Sequence, residues 1–194
     1  MHSDHPDAAT PLDPDEVDGL IPTHITTRAE LDRWEQRNIM DAHRWLVRGR
    51  PKAILTVDFV RKLHHRMFRD VWKWAGQFRR SEKNIGVHPW QIAEEAHKLC
   101  HDARYWIEHD TYPPDEIAIR FHHRLVSIHP FPNGNGRHAR LMADLIAVVL
   151  LHRPRFSWGQ ANLAAAGSDR QRYIEALHAA DHHDIEPLIQ FARS

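Results

Sequence analysis

Residues 137–152, RHARLMADLIAVVLLH, constrain the fold more than any other stretch, because they are apolar on most sides of a helix. A helix that is hydrophobic nearly all round has to be buried against other elements. Its longest apolar run, residues 145–151, is far shorter than the ~20 residues that a membrane span requires. We therefore predict that this stretch is the central helix of a helical bundle.

A helical period of apolar residues continues through most of the chain. The further predicted helices cover residues 26–49, 56–72 (with Thr56 as N-cap), 91–109, 117–128, a segment opened by a capping box of Ser168 and Gln171, and 185–191. Residues 74–89, WAGQFRRSEKNIGVHP, interrupt this pattern with two glycines and short β-leaning pieces, which favours a small hairpin. The sequence thus predicts an all-α fold with a small β-hairpin.

Charge divides the chain near residue 24. Residues 1–24 hold six acids, four prolines and no Lys or Arg, so we predict an acidic, poorly structured arm followed by one domain over 25–194. Within that domain, residues 44–83 carry twelve Lys and Arg against three acids. This balance suits an anionic partner such as a nucleotide, a nucleic acid or an acidic protein, but a solvated helix face would also explain it.

Two further features bear on the compartment. The single cysteine, Cys100, lies in the apolar series of a predicted helix, which indicates a buried, inert thiol. The first ten residues, MHSDHPDAAT, lack the basic flank and apolar core of a secretion signal. We therefore expect a cytoplasmic protein without a membrane span.

The loop HPFPNGNGRHAR, residues 129–140, joins one predicted helix to the N-terminus of the buried one. N–H groups at a helix start favour an anion, and Gly134 and Gly136 allow the backbone to approach a phosphate. Arg137 and Arg140 lie three residues apart, where two guanidinium groups can hold successive phosphates. His129 is the one group of the loop whose ordinary pKa suits a general base near neutral pH. Together these residues indicate phosphoryl or nucleotidyl transfer.

The same loop resembles the signature of the Fic/Doc (Fido) family, H-x-F-x-[D/E]-G-N-G-R-x-x-R. The matching positions are His129, Phe131, Gly134, Asn135, Gly136, Arg137 and Arg140. FRDVWKWAGQFRRSEKNIGV and YIEALHAADHHDIEPLIQF are similar to the family's flap region and C-terminal helices, and GLIPTHITTRAELDRWEQRNI resembles the subgroup called mobile mystery protein B. The resemblance covers about residues 12–192 and implies a bacterial, Fic-type helical bundle with a β-hairpin flap.

The resemblance implies transfer of AMP, or of a related phosphate-linked group, from ATP to a hydroxyl of a target protein. It implies these roles: His129 as general base, the backbone of Gly134, Asn135 and Gly136 as phosphate cradle, Arg137 and Arg140 on the β- and γ-phosphates, and Phe131 as the anchor of the loop. The flap residues Asn84, Ile85 and Gly86 would present the target segment by strand addition.

Asn133 departs from the signature, because the family has Asp or Glu there as a charged ligand of Mg²⁺. A neutral carboxamide oxygen is a poorer ligand, so we expect Asn133 to bind Mg²⁺ more weakly. Three outcomes stay open: transfer with poorer metal affinity, a different donor or reaction, or nucleotide binding with little catalysis.

Two other classes of function also remain. The pairs His64-His65, His101-Asp102 and His122-His123, with Asp144, mimic the ligand order of an HD-type metal phosphohydrolase. Alternatively, the basic residues 44–83 would bind nucleic acid without catalysis.

Inhibition is expected from a separate partner. Many family members carry an inhibitory helix with the pattern [S/T]-x-x-x-E-[G/N], whose Glu pairs with the second arginine of the signature. Thr26 to Glu30 fits only in part, because Leu31 follows. The helix-turn-helix protein associated with the subgroup is the candidate antitoxin, and it would place a carboxylate against Arg140. The alternative is Glu30, or else Glu35, acting from the first helix.

Overall fold

The computed structural model describes residues 19–22, 24–25, 28–160 and 167–194, and helices dominate this part of the chain. Its α-helices are α1 (Arg28–Gly49), α2 (Val57–Phe68), α3 (Ile92–Glu108), α4 (Pro114–Ile128), α5 (Asn135–Leu145), α6 (Ser168–Asp181) and α7 (Glu186–Arg193). A 3₁₀ turn (Pro89–Gln91) precedes α3, and a π-helical turn (Ile146–Leu150) continues α5. The predicted all-α class is confirmed.

Helix α5 is the buried central helix that its composition predicts. It packs against α2 and α4, and Ala139, Met142 and Ala143 on it are completely buried. Arg137 and Arg140 on α5 are partly exposed, and the π-helical turn exposes Val148 and Val149. Because the body of α5 is fixed in the core, its N-terminal turn is held rigidly at the signature loop. No helix in the described residues is both long and apolar enough to span a membrane.

Helix α2 begins at its predicted cap, where Oγ1 of Thr56 accepts the Phe59 N–H at 3.2 Å. It ends earlier than predicted because the following residues pair with an N-terminal segment. The Ile21 N–H donates to the Val71 carbonyl at 2.8 Å, and the Lys73 N–H donates to the Gly19 carbonyl at 2.8 Å. The inner end of the predicted acidic arm is thus tied to the domain, while residues 1–18 and 23 lie outside the described residues.

The predicted capping box of α6 is wrong. The N-cap is Gly167 and no side chain caps the helix, so Ser168 is already its first helical residue. Gln171 instead donates forward to Glu175 at 2.9 Å, one turn further along.

The predicted hairpin over residues 74–89 does not form paired strands. The N–H groups of Arg79 and Val87 donate to the carbonyls of Pro130, at 2.9 Å, and of Ile128, at 3.3 Å. The backbone N–H groups on both sides of the segment therefore bond to the end of α4 and the start of the signature loop, and not to each other as in a hairpin. We call residues 79–88 the flap segment.

Candidate active site

His129 ends helix α4 in the left-handed conformation, with φ 52° and ψ 59°. Its side chain is buried, at 7% exposure. Burial, followed by the positive charges of Arg79 and Lys83, lowers the pKa of His129 from 6.5 to about 4. His129 is therefore neutral near pH 7, which is the form that accepts a proton.

Arg79 holds His129 against the flap segment. Its side chain is buried, and its Nε donates to the His129 carbonyl at 2.7 Å. Its Nη groups donate to the carbonyls of Ser81, at 2.9 Å, and of Val87. One guanidinium thus fixes the end of α4 and both sides of the flap segment. Arg79 is one of twelve Lys and Arg residues within the 40-residue stretch 44–83, and the sequence does not distinguish it from the others.

The flap residues singled out by the sequence lie beside His129. A Cβ at Gly86 would come within 2.7 Å of the His129 Cβ and 2.6 Å of Arg79 Nη2, so a side chain there would push the flap segment away. Asn84 and Ile85 are exposed on the outer side. The structure therefore brings Gly86, one of the predicted docking residues, next to the predicted base.

Phe131 anchors the signature loop, as predicted. Its ring is completely buried and stacks on His64 with 3.7 Å between centroids. Across the loop, Asn135 Oδ1 accepts the Phe131 N–H at 2.9 Å, and Asn135 Nδ2 donates to the Phe131 carbonyl at 2.8 Å. The side chain of Asn135 is thus used inside the loop, and only its backbone N–H can serve a phosphate.

His64 fixes the next peptide of the loop. The Gly76 N–H donates to Nδ1 at 3.0 Å, so the proton is on Nε2, which donates to the Asn133 carbonyl at 3.0 Å. Burial, followed by the proximity of His138, holds the pKa of His64 well below its ordinary value. A neutral histidine from α2 therefore positions the residue that replaces the family's acid.

The two glycines of the loop have different surroundings. Gly134 caps α5 with φ 79°, and a Cβ there would lie 2.5 Å from the ring of Phe68. A Cβ at Gly136 would meet only Arg140 Nη1, at an ordinary 3.7 Å. Packing within the described chain explains Gly134 but leaves room at Gly136. The space beside Gly136 is therefore open to a ligand at the start of α5.

Asn133 does not present its oxygen as a metal ligand. Asn133 Oδ1 accepts the Gly134 N–H at 2.6 Å, within the loop. The described residues contain no cluster of three or more His, Cys, Asp or Glu that could hold a metal ion. Mg²⁺ prefers several hard oxygen ligands in octahedral geometry. The oxygen of Asn133 is therefore already engaged in the loop, and phosphates and water would have to supply most ligands of an Mg²⁺ there.

Arg137 is paired with an acid that the sequence places far away. Its Nη1 donates to Glu35 Oε2 at 2.7 Å, and its guanidinium lies 5.0 Å from the centroid of Phe68. The side chain of Arg137 keeps 27% exposure, whereas that of Glu35 keeps 1%. The glutamate on α1 thus pairs with the first arginine of the signature. The alternative in which Glu35 acts against Arg140 does not match these contacts.

Arg140 has a neutral partner. Its guanidinium lies 5.5 Å from the ring centroid of Tyr173 on α6, and the Tyr173 hydroxyl is 2.9 Å from His122 Nε2. Burial raises the pKa of Tyr173, which keeps the phenol protonated. The positive charge of Arg140 also lowers the pKa of Arg170, after burial. No carboxylate among the described residues forms an ion pair with Arg140, so this end of the site is positive.

The residues of the HD-type alternative are not gathered into one site. Asp144 accepts from Arg155 at 2.8 Å and from Trp158 at 3.0 Å, and Asp102 accepts from Arg124 at 2.6 Å. Each acid therefore has a structural partner of its own. Cys100 is buried, and burial raises the pKa of its thiol to about 11, as expected for an inert cysteine.

Part of the basic stretch 44–83 is engaged within the domain. Arg61 donates to the Gly76 carbonyl at 3.0 Å, and Lys62 and Arg66 lie 5.5 and 5.1 Å from the ring centroid of Trp45. Their charges therefore serve intramolecular contacts as well as the surface.

Comparison with known proteins identifies the family. Residues 54–147 match the family described as Fic/DOC. "Protein adenylyltransferase Fic" of Nematostella vectensis is 30% identical over 141 residues, which cover 71% of this chain and 31% of the relative. The protein of the same name from Drosophila melanogaster is 31% identical over 144 residues, 72% of this chain and 28% of the relative. The chain thus spans about a third of the length of these relatives.

Solved structures share the fold. The N-terminal Fic domain of an effector from Bartonella sp. AR 15-3 superposes with a TM-score of 0.69 at 16% identity, covering 99% of this chain and 93% of that one. Fic-1 of C. elegans gives 0.66 at 23% identity, over 90% of this chain and 50% of its own. A Fic domain from Bartonella quintana with bound ADP has a TM-score of 0.64 at 19% identity, covering 88% of this chain and 86% of that one. The chain carries a domain of the Fic/DOC family.

Proposed function

We propose that this domain transfers AMP from ATP to a hydroxyl group of a target protein. The hydroxyl oxygen attacks the α-phosphorus, the bond from that phosphorus to the bridging oxygen of pyrophosphate breaks, and pyrophosphate leaves. His129 takes the proton of the attacking hydroxyl. The adenylyltransferase name of the curated relatives supports this choice of reaction.

One observation carries the proposal. A neutral, fixed histidine opens the loop that leads into helix α5, whose first turn leaves the Cβ position of Gly136 free and carries the partly exposed Arg140. N–H groups at that terminus can bind the phosphates while Arg140 holds their far end. Bound phosphates would bring negative charge near His129 and raise its low pKa, making it a stronger base when ATP is present.

The other roles follow from the same geometry. Of the three predicted cradle residues, Gly134 already donates its N–H to Asn133 Oδ1, so the backbone N–H groups of Asn135 and Gly136 would bind the phosphates. Asn84, Ile85 and Gly86 would align the target segment beside His129. Mg²⁺ that accompanies ATP would be held by phosphates and water, because Asn133 Oδ1 is engaged with Gly134. We also propose that the protein acts in a bacterial cytoplasm and that a helix-turn-helix antitoxin inhibits it.

Two labelled forms of ATP test the reaction. The chain is incubated with cell lysate and ATP labelled on either the α- or the γ-phosphate, and the mass added to any labelled protein is measured. We expect label from the α-phosphate only, with the mass of AMP. Label from the γ-phosphate would instead show phosphoryl transfer, and ATP binding without label would leave a nucleotide-binding protein.

A histidine pair tests the base. His129→Ala should lower transfer by ~10²–10⁴-fold, the range for a lost general base. His101→Ala is the matched control, because the His101 side chain is 73% exposed. Both variants should bind ATP like the wild type. Unchanged transfer by His129→Ala would remove this residue from the mechanism.

A further inference from the structure

Glu35 is a buried carboxylate that links helix α1 to the signature loop. Its side chain is 1% exposed. Oε1 accepts the indole N–H of Trp72 at 2.8 Å, and Oε2 accepts from Nη1 of Arg137 at 2.7 Å. Both oxygens are therefore bonded, one to a neutral donor and one to a positive donor.

The helix that carries Glu35 is part of the core. Leu31 and Ala42 on α1 are buried on the same side of the helix. Asn38, one turn after Glu35, donates to Asp70 Oδ2 at 2.8 Å and accepts the Asp70 N–H at 3.0 Å. With α1 fixed by these contacts, Glu35 could leave Arg137 only as a buried carboxylate whose remaining bond is to the neutral Trp72 N–H, which is strongly unfavourable. Glu35 thus stays with Arg137 as long as α1 is packed.

The two arginines of the signature therefore differ in charge and freedom. Arg137 is held between the Phe68 ring and Glu35, so its orientation is fixed and its charge is balanced. Arg140 lies beside the ring of Tyr173, and no acid among the described residues balances its charge. A triphosphate would therefore bind beside two different guanidinium groups. That of Arg137 is oriented and its charge is balanced by Glu35, whereas that of Arg140 keeps its full positive charge.

We propose that Glu35 is a positioning residue, which fixes the Arg137 guanidinium for the bound phosphates and does not compete with them. The proposal rests on the proposed transfer from ATP. An inhibitory carboxylate has to leave its arginine when the donor enters, and the packing of α1 prevents this for Glu35. Loss of Glu35 should therefore slow transfer, whereas loss of an inhibitor would speed it.

The test compares Glu35→Gln with Asp32→Asn, which removes an acid from an exposed position of the same helix. ATP affinity is measured by titration, and kcat and KM for ATP are measured from the α-label. We expect Glu35→Gln to lower kcat by about 10- to 100-fold, the scale of a misplaced reacting group, with ATP affinity unchanged or higher. Trp72→Phe, which removes the N–H donor to Oε1 together with part of a buried ring, should leave the Arg137 contact in place and give a smaller loss of kcat, and Asp32→Asn should give none.

A second readout does not require activity. In ¹⁵N NMR, the two Nη groups of Arg137, identified by their loss in Arg137→Lys, should give separate signals in the wild type. They should average in Glu35→Gln, because the guanidinium then rotates.

Three results would overturn the proposal. They are a higher kcat in Glu35→Gln, an unchanged kcat in Glu35→Gln that still binds ATP, or a single averaged Nη signal for Arg137 in the wild type. If Glu35→Gln does not fold, an unchanged kcat in Trp72→Phe overturns it as well. A wild type that transfers no label refutes the proposed function instead, and the NMR comparison still decides whether Glu35 orients Arg137.

Discussion

Alanine at the two loop glycines separates folding from phosphate binding. At Gly134, alanine would adopt a positive φ of 79° and place its Cβ 2.5 Å from the Phe68 ring. A left-handed residue and an overpacked core each cost about 1–3 kcal/mol, so we expect a loss of about 3 kcal/mol in unfolding free energy. For a chain of this size that corresponds to a fall of about 6–12 °C in Tm.

At Gly136 the same substitution should leave the fold intact. Its Cβ would have a nearest contact of 3.7 Å, and replacing a helical glycine by alanine gains about 0.5–1 kcal/mol. The methyl group would, however, occupy the space through which a phosphate approaches the first N–H groups of α5. One lost charge-assisted hydrogen bond is worth about 1.5–3 kcal/mol, so ATP affinity should fall at least about 10-fold.

Thermal unfolding and ATP titration on both variants decide between these effects. The expected pattern is a low Tm for Gly134→Ala, and a normal Tm with weak ATP binding for Gly136→Ala. Normal ATP binding by a folded Gly136→Ala would refute the placement of phosphates at the start of α5.

Three further outcomes are expected. Because the pKa of His129 is lowered to about 4, its ring signals in NMR of the ATP-free chain should not shift between about pH 5.5 and 8; a titration near 6.5 would contradict the burial of His129. His122 and His138, with pKa lowered to about 3 by burial, bind a proton more readily when unfolded, so unfolding free energy measured in denaturant should fall as the pH drops from about 6.5 toward 3; a flat profile would contradict their neutrality. Asn133→Asp should lower the Mg²⁺ concentration for half-maximal transfer, since it supplies a charged oxygen; an unchanged value would show that the metal is not held at this position.

Local sequence was sufficient for the loop but not for its surroundings. The helices around the loop follow from apolar periodicity, and the conformational role of Gly134 follows from its place before α5. Arg79 contacts His129, which is 50 residues further along the chain. Tyr173 contacts Arg140, which is 33 residues before it. Their residue types alone do not distinguish them from other arginines and aromatics in the chain.

Glu35 left a weak signal that could have been used. Glu35 lies four residues after Leu31, and Asn38 lies seven residues after Leu31. Both polar residues therefore fall on the buried side of α1. A carboxylate on an apolar helix face has to find a partner inside the protein. What the sequence could not supply was the identity of that partner, because Arg137 is 102 residues away.

The unequal environments of the two arginines decide where control can act. Glu35 already balances Arg137 and cannot withdraw from it while α1 is packed. Arg140 is held by a phenol, so a carboxylate from a partner and the terminal phosphate of ATP would be alternative anions for the same guanidinium. The signature alone presents these arginines as equivalent, three residues apart on one helix. Their neighbours on α1 and α6 make the first a fixed element of the site and the second the group at which a donor and an inhibitor would compete.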